Sequence, residues 1–321
     1  MNVTDLEWAI TIGVTVAVLL FDVVVIGRNP HEPTTRECLT ALGSYVGLAV
    51  AFGVWTTVHH GGNYGLEFFA GWLTEYSLSV DNLFIFIIIM ASFKVPRQYQ
   101  QQALLVGIVL ALVFRAVFIA LGAVAINQFS WVFYLFGLFL IYTAWKLAQD
   151  SDHDDDAENS VVRFARTYLN TTDDWHGVKL VVKDGAKRIL TPMAIVIVAL
   201  GTTDLLFALD SIPAIYGLTQ EPYLVLTANI FALMGLRQLY FLLGDLMQRF
   251  VYLSQGLAFI LAFIGLKLIL HALHENEVPF INGGASVHVP EIPTLAGLGV
   301  IIGTLVVTAV ASLWKTRRSD V

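Results

Sequence analysis

The chain has 321 residues, of which 57% are hydrophobic and only 13% charged, with a formal charge of −7. A soluble domain carries about a quarter charged residues, so these numbers select a polytopic membrane protein whose first partner is the lipid bilayer. The acidic balance, with no basic patch among aromatics, excludes a nucleic-acid partner, and a single cysteine, Cys38, excludes an intrachain disulfide.

At ~20 apolar residues per crossing, nine spans are predicted, at 8–27, 38–58, 69–92, 102–126, 131–148, 189–215, 223–243, 251–272 and 292–314. Asp5 and Glu7 precede span 1 and Arg28 follows it, the reverse of a cleavable signal peptide, so span 1 is expected to be retained. Four of the 18 basic residues fall within spans: Arg115, Lys146, Arg237 and Lys267. All the others follow spans 1, 3, 5, 7 and 9, which under the positive-inside rule predicts an external N-terminus and a cytoplasmic C-terminus. Trp8, Trp131 and Trp314 fall at span ends, where they read as interfacial anchors. The predicted organisation is two N-terminal spans (1–68), a three-span unit (69–148), a cytoplasmic acidic loop with a hairpin (149–188), a second three-span unit (189–272), and an external loop, last span and basic tail (273–321).

Within the apolar runs, two segments stand out. Glu75-Tyr-Ser-Leu-Ser-Val-Asp81-Asn82-Leu-Phe84 and Asp204-Leu-Leu-Phe-Ala-Leu-Asp210-Ser211-Ile-Pro213 each place two carboxylates six residues apart. Acids at bilayer depth are costly and mark functional sites by default. Spans 3–5 and 6–8 also match at Arg115 to Gly122 against Arg237 to Gly244, and at Lys146 against Lys267. Two units of three spans enter the membrane from opposite sides, so the fold class is an all-α membrane protein with two inverted three-helix repeats, an architecture of secondary transporters.

From the span limits, Glu75 and Asp210 lie roughly 9 Å inside the outer boundary and Asp81 and Asp204 ~18 Å. Six residues on a helix leave two side chains about 120° apart, so either the helices unwind or each acid faces a different neighbour. Ser77 and Ser79, Gly201-Thr202-Thr203 and Pro213 favour unwinding, which is tolerated where backbone lines a cavity. The candidate ligands Glu75, Asp81, Asn82, Asp204, Asp210 and Ser211 are all oxygen donors and suit a hard divalent cation, Mn²⁺, Mg²⁺ or Ca²⁺. The competing account is a network of interhelical ion pairs, in which Asp22, Arg115, Arg237 and Lys267 support the bundle or close a gate.

Other features carry less. Asp150 to Glu158 is a block of like charge, which reads as a solvated segment, and Val178 to Gly185 reads as a small β-hairpin with an Asp-Gly turn. His59, His60, His271, His274, Glu275 and Glu277 fit polar loops at least as well as a metal site. There is no P-loop, His-Glu-x-x-His or nucleophile elbow, so no enzyme is expected.

The residues Ser77 to Phe84, Phe207 to Ala214 and Ala232 to Arg237, with Leu239 to Phe241 and Thr172 to Gly177, resemble the TerC family of bacterial membrane proteins, the tellurium-resistance and Alx-type group. The form with Gly201-Thr202-Thr203 is similar to actinobacterial members, whereas many relatives carry an acid in place of Gly201. The resemblance implies a multi-pass protein of the bacterial inner membrane, within the LysE-like transporter superfamily, several of whose family members act in Mn²⁺ efflux. It also implies that the acidic motif residues carry the site. The expectation is an exporter of Mn²⁺ or a similar cation, coupled to protons, with no cofactor beyond the transported ion. The rivals are a membrane scaffold that delivers metal to secreted metalloenzymes or joins a stress complex, and an exporter of a small organic solute.

Overall fold

The computed structural model describes residues 1–28, 33–129, 131–149, 175, 179–184, 187–243, 252–276, 278, 281–290 and 292–319. Its helices are α1 (Asp5–Arg28), α2 (Thr35–His60), α3 (Gly62–Ser92), α4 (Arg97–Gln128), α5 (Val132–Gln149), α6 (Pro192–Tyr216), α7 (Pro222–Met234), α8 (Leu236–Leu243), α9 (Leu253–His274) and α10 (Thr294–Ser319). Among the described residues, eight helical stretches are long and apolar enough to cross a membrane: α2 to α6, α7 with α8 as one, α9 and α10. Exposed Val117, Leu121, Leu138, Leu206, Val307 and Val310 give the bundle an apolar outer surface suited to lipid tails. Two strands, β1 (Val181–Asp184) and β2 (Lys187–Leu190), pair antiparallel with Asp184 opposite Lys187. The acidic stretch from Asp150 to Glu158 lies outside the described residues.

Local signals set the helix ends. Thr34 and Glu37 form a reciprocal capping box at the start of α2. Thr191 caps α6, and proline opens both α6 and α7, where a missing N–H is harmless. Two boundaries differ from the predicted spans. Residues 59–68, expected as a loop, are instead the end of α2, Gly61 and the first turns of α3. Gly61 makes this sharp join at φ 112°, a conformation that needs no Cβ. The predicted span 223–243 is broken at Gly235, where a Cβ would stand 2.9 Å from Leu42 and 3.4 Å from the Tyr76 hydroxyl.

The helices pack in three leading pairs: α3 on α7, α4 on α6, and α5 on α9. Gly71 meets Ala228, and Tyr76 meets Gly235, so α3 and α7 run in the same direction. Along α4 and α6 the register steps from Gly107–Leu200 through Arg115–Asp204 to Ile119–Tyr216, also parallel. The α5–α9 pair is antiparallel and reciprocal: Gly137 meets Gly265 and Ile269, while Gly265 meets Gly137 and Ile141. The contact runs antiparallel between Gly137–Ile141 on α5 and Gly265–Ile269 on α9.

The buried apolar side chains form two clusters. One, at the end of the bundle carrying Glu67, includes Phe68, Leu78, Ile119, Ala208 and Ile264. The other, at the hairpin end, includes Leu83, Leu112, Met193, Leu200 and Leu233. On α4 the change of cluster falls between Leu112 and Ile119, and on α6 between Leu200 and Ala208. Arg115 and Asp204 occupy those gaps.

The α5–α9 crossing yields a direct test of the packing. A Cβ on Gly137 would lie 2.8 Å from the Gly265 carbonyl oxygen and 2.7 Å from Ile269, so Gly137→Ala should destabilise the protein by about 1–3 kcal/mol. Gly43, with nothing within 4 Å of its Cβ position, should gain about 0.5–1 kcal/mol as Gly43→Ala. Thermal unfolding of both variants in detergent measures the contrast.

Candidate functional site at the centre of the bundle

Three helices converge on one guanidinium. Arg115 donates from Nη1 to Glu75 Oε2 at 2.7 Å, from Nε to Asp204 Oδ2 at 3.2 Å and from Nη2 to Asp204 Oδ1 at 3.2 Å. Nη1 also donates to Ser211 Oγ at 3.3 Å. The contact with Asp204 is the two-pronged fork that guanidinium and carboxylate geometry favour. All four side chains are buried, Glu75 completely. Arg115 thus ties α3 and α4 to α6, and the first predicted unit to the second.

The site lies deeper than the span limits suggested. Counted on the observed helices, Glu75 is 13 residues from the start of α3, Arg115 is 13 from the end of α4, and Asp204 is 12 from the end of α6. Those three ends share one face of the bundle, because Thr219 just beyond α6 donates to Glu67 on the first turns of α3 at 2.7 Å. At 1.5 Å per residue the three charged groups all stand about 18–20 Å from that face. Glu75 is therefore corrected from a shallow position to the level of Asp204. Asp81 and Asp210 follow their partners by six residues on helices of opposite direction, so their backbones are displaced about 9 Å to opposite sides of that level.

The expected unwinding does not occur, since α3 and α6 both run unbroken through their acidic segments and Pro213 is accommodated inside α6. On a continuous helix, positions i, i+4 and i+7 share a face. Glu75, Ser79 and Asn82 form such a buried stripe on α3, and Asp204, Ala208 and Ser211 form the corresponding one on α6. The seven-residue step from each first acid to Asn82 or Ser211 is thus the geometrically coherent one. The six-residue step to Asp81 or Asp210 does not follow that period. Their side chains, and that of Asp22 on α1, lie outside the described residues.

The remaining candidates are dispersed. Arg237 is half-buried on α8, two residues past the break at Gly235. Lys267 is half-buried on α9 and lines a cleft of about 270 Å³ at the Glu67 end, with Tyr64, Glu67, Gln220 and His271. At the same end the Met1 ammonium pairs with Glu221, which raises its pKa above the ordinary value. His60 bonds Glu7 at 3.1 Å, and His271 faces Glu275 at 3.3 Å, so each of these histidines has a carboxylate neighbour of its own. Among the described residues, no three His, Cys, Asp or Glu side chains are grouped to hold a metal.

Charge and hydrogen-bond counting expose what the arrangement leaves open. Were both carboxylates ionised, one guanidinium would balance only one of them. Glu75 Oε1 is buried without a hydrogen-bond partner, as are Ser79 Oγ, one turn along the same stripe, and Thr74 Oγ1 beside it. Unsatisfied buried acceptors are costly, and a proton or a small cation would satisfy both deficits. Glu67 and the Glu75–Ser79–Asn82 stripe were missed in the sequence. The 3.6-residue period would have found the stripe, whereas Glu67 was hidden by its assignment to a loop.

The position of Gly201 also has a packing explanation. A Cβ there would stand 2.4 Å from Leu110 Cδ2 on α4, so this chain uses the position for helix contact rather than for a further acid. Because Arg115 balances two buried acids, Arg115→Met should cost about 3–5 kcal/mol. Arg115→Lys should recover only part of that, since an ammonium cannot form the fork to Asp204. Thermal unfolding in detergent reads both values, and an unchanged Arg115→Met midpoint would contradict the pairing.

Residues 60–320 match the family described as "Integral membrane protein TerC family". An uncharacterized membrane protein of Mycobacterium tuberculosis H37Rv is 47% identical over 322 residues, covering 99% of this chain and 81% of that protein. An uncharacterized membrane protein of Myxococcus xanthus is 36% identical over 97% of this chain and 93% of its own length. The Escherichia coli K12 protein named "Putative membrane-bound redox modulator Alx" is 34% identical over 99% of this chain and 97% of its own. No solved structure matches the chain. The chain belongs to the TerC family of integral membrane proteins.

Proposed function

We propose that this chain is a transporter of the bacterial inner membrane that exports Mn²⁺ or a similar hard divalent cation in exchange for protons. The observation that carries the proposal is the central cluster: two buried carboxylates from different halves, one shared guanidinium, and Glu75 Oε1 without a partner. Such a site has more carboxylates than cationic side chains at mid-depth, where an acid without a role is rarely kept. Glu75, Asp204, Asn82 and Ser211 line it, and Asp81 and Asp210 extend the acidic path toward opposite faces. Carboxylate, amide and hydroxyl oxygens suit hard cations.

The helix pairing supports the inverted-repeat reading behind this mechanism. Exchanging the first and second helices of each unit produces the parallel α3–α7 and α4–α6 pairs, and a two-fold axis through Gly137 and Gly265 produces the antiparallel α5–α9 pair. In alternating access one unit rocks against the other around a fixed site. Protonation of the carboxylates on the external face would release the cation, and deprotonation on the cytoplasmic face would restore affinity. An organic-anion exporter fits less well, because the buried arginine is committed to two acids of the protein itself. Dithiol redox chemistry within the chain has no second cysteine to use.

Expression under manganese load should lower cellular manganese measured by mass spectrometry. Loss of a residue supporting a metal ligand typically costs about 10–100-fold, so Asp81→Asn or Asp210→Asn should reduce efflux at least that much. Unchanged accumulation and tolerance in both variants would remove these acids from the transport path.

A further inference from the structure

The cation at the centre of this site is the protein's own. Arg115 reaches Glu75, Asp204 and Ser211 from α4, with four contacts of 2.7–3.3 Å and 1% of its surface exposed. Yet its planar fork leaves oxygens unused on the same side of α3. Glu75 Oε1 and Ser79 Oγ are both buried and unpartnered. An ion pair whose only task is to fasten helices would be completed by its neighbours, because each orphan acceptor weakens the bundle. A small ion with six or more oxygen ligands uses such atoms where a guanidinium cannot.

We propose that Arg115 is a tethered competitor: its guanidinium occupies the Glu75–Asp204 pair in the absence of substrate, and a transported cation enters only by displacing it. The inference rests on the cation-transport reading above and adds a regulatory element to it. The carboxylates are then never left as an uncompensated buried pair between transport cycles, and an ion that binds too weakly to displace the guanidinium is excluded. The apparent affinity for substrate is set by the fraction of molecules in which Arg115 has left the pair.

Free guanidinium separates this role from a purely structural one. The full-length protein and its Arg115→Ala variant are placed in proteoliposomes, and Mn²⁺ binding, Mn²⁺ flux and the unfolding midpoint are measured with and without millimolar guanidinium chloride. A tethered competitor predicts that Arg115→Ala binds Mn²⁺ about tenfold more tightly or better. It predicts further that guanidinium raises the midpoint of this variant while weakening its Mn²⁺ binding. The parent protein should be indifferent to guanidinium at that concentration. A guanidinium that raises the midpoint and Mn²⁺ binding together, or a folded Arg115→Ala that binds Mn²⁺ no more tightly than the parent, would overturn the proposal. If Arg115→Ala does not fold, Arg115→Lys replaces it, because a single-point cation holds the pair less firmly. Tighter Mn²⁺ binding than in the parent supports displacement, and weaker binding refutes it. A variant that passes Na⁺ or K⁺ but not Mn²⁺, with that flux blocked by guanidinium, would keep the tethered competitor and discard the divalent reading. Proteins that pass no cation at all would discard both.

Discussion

A guanidinium removed from water costs several kcal/mol unless acceptors surround it, and in this protein those acceptors come from two different helices. Glu75 on α3 and Asp204 on α6 meet Arg115 on α4 at a single level, about 20 Å below one face of the bundle. The apolar core is divided into two clusters at that level, so the charged group lies in the seam between them. A change of charge at the seam therefore acts on both halves at once.

The helix pairing sets how such a seam would serve the proposed movement. The pairs α3–α7 and α4–α6 run in parallel, each joining one helix from each half, while Gly137 and Gly265 let α5 and α9 cross with backbones in contact. The charged contact lies across the boundary between halves rather than within one of them. A substrate that replaces a guanidinium at that boundary changes the attraction between the halves, which is the differential interaction a conformational change requires.

Much of this was legible in the chain. Composition specified a bundle of membrane-spanning helices, and the repeated acidic segments pointed to Glu75, Asp204 and Ser211, which the structure gathers around Arg115. Depth was misread because Glu67 and the glycines around it resemble a loop, while in the fold Glu67 finds Thr219 and α3 gains two turns. The six-residue spacing drew attention to Asp81 and Asp210 and suggested broken helices. Helical period instead links Glu75 to Asn82 and Asp204 to Ser211 along unbroken ones. The Gly137–Gly265 crossing was overlooked because glycine carries no charge or polarity to mark it. Only the reciprocal close approach of two backbones reveals its role.

The central claim is that Glu75 and Asp204 form a cation site shared by the two halves and held by Arg115 in the interim. A cryo-electron microscopy map of the full chain in lipid nanodiscs at saturating Mn²⁺ tests it most directly. The account predicts ion density between α3 and α6, in contact with Glu75 and Asp204, with the Arg115 side chain turned out of the pair. Arg115 still bridging both carboxylates at saturating Mn²⁺, with no ion between them, would contradict it.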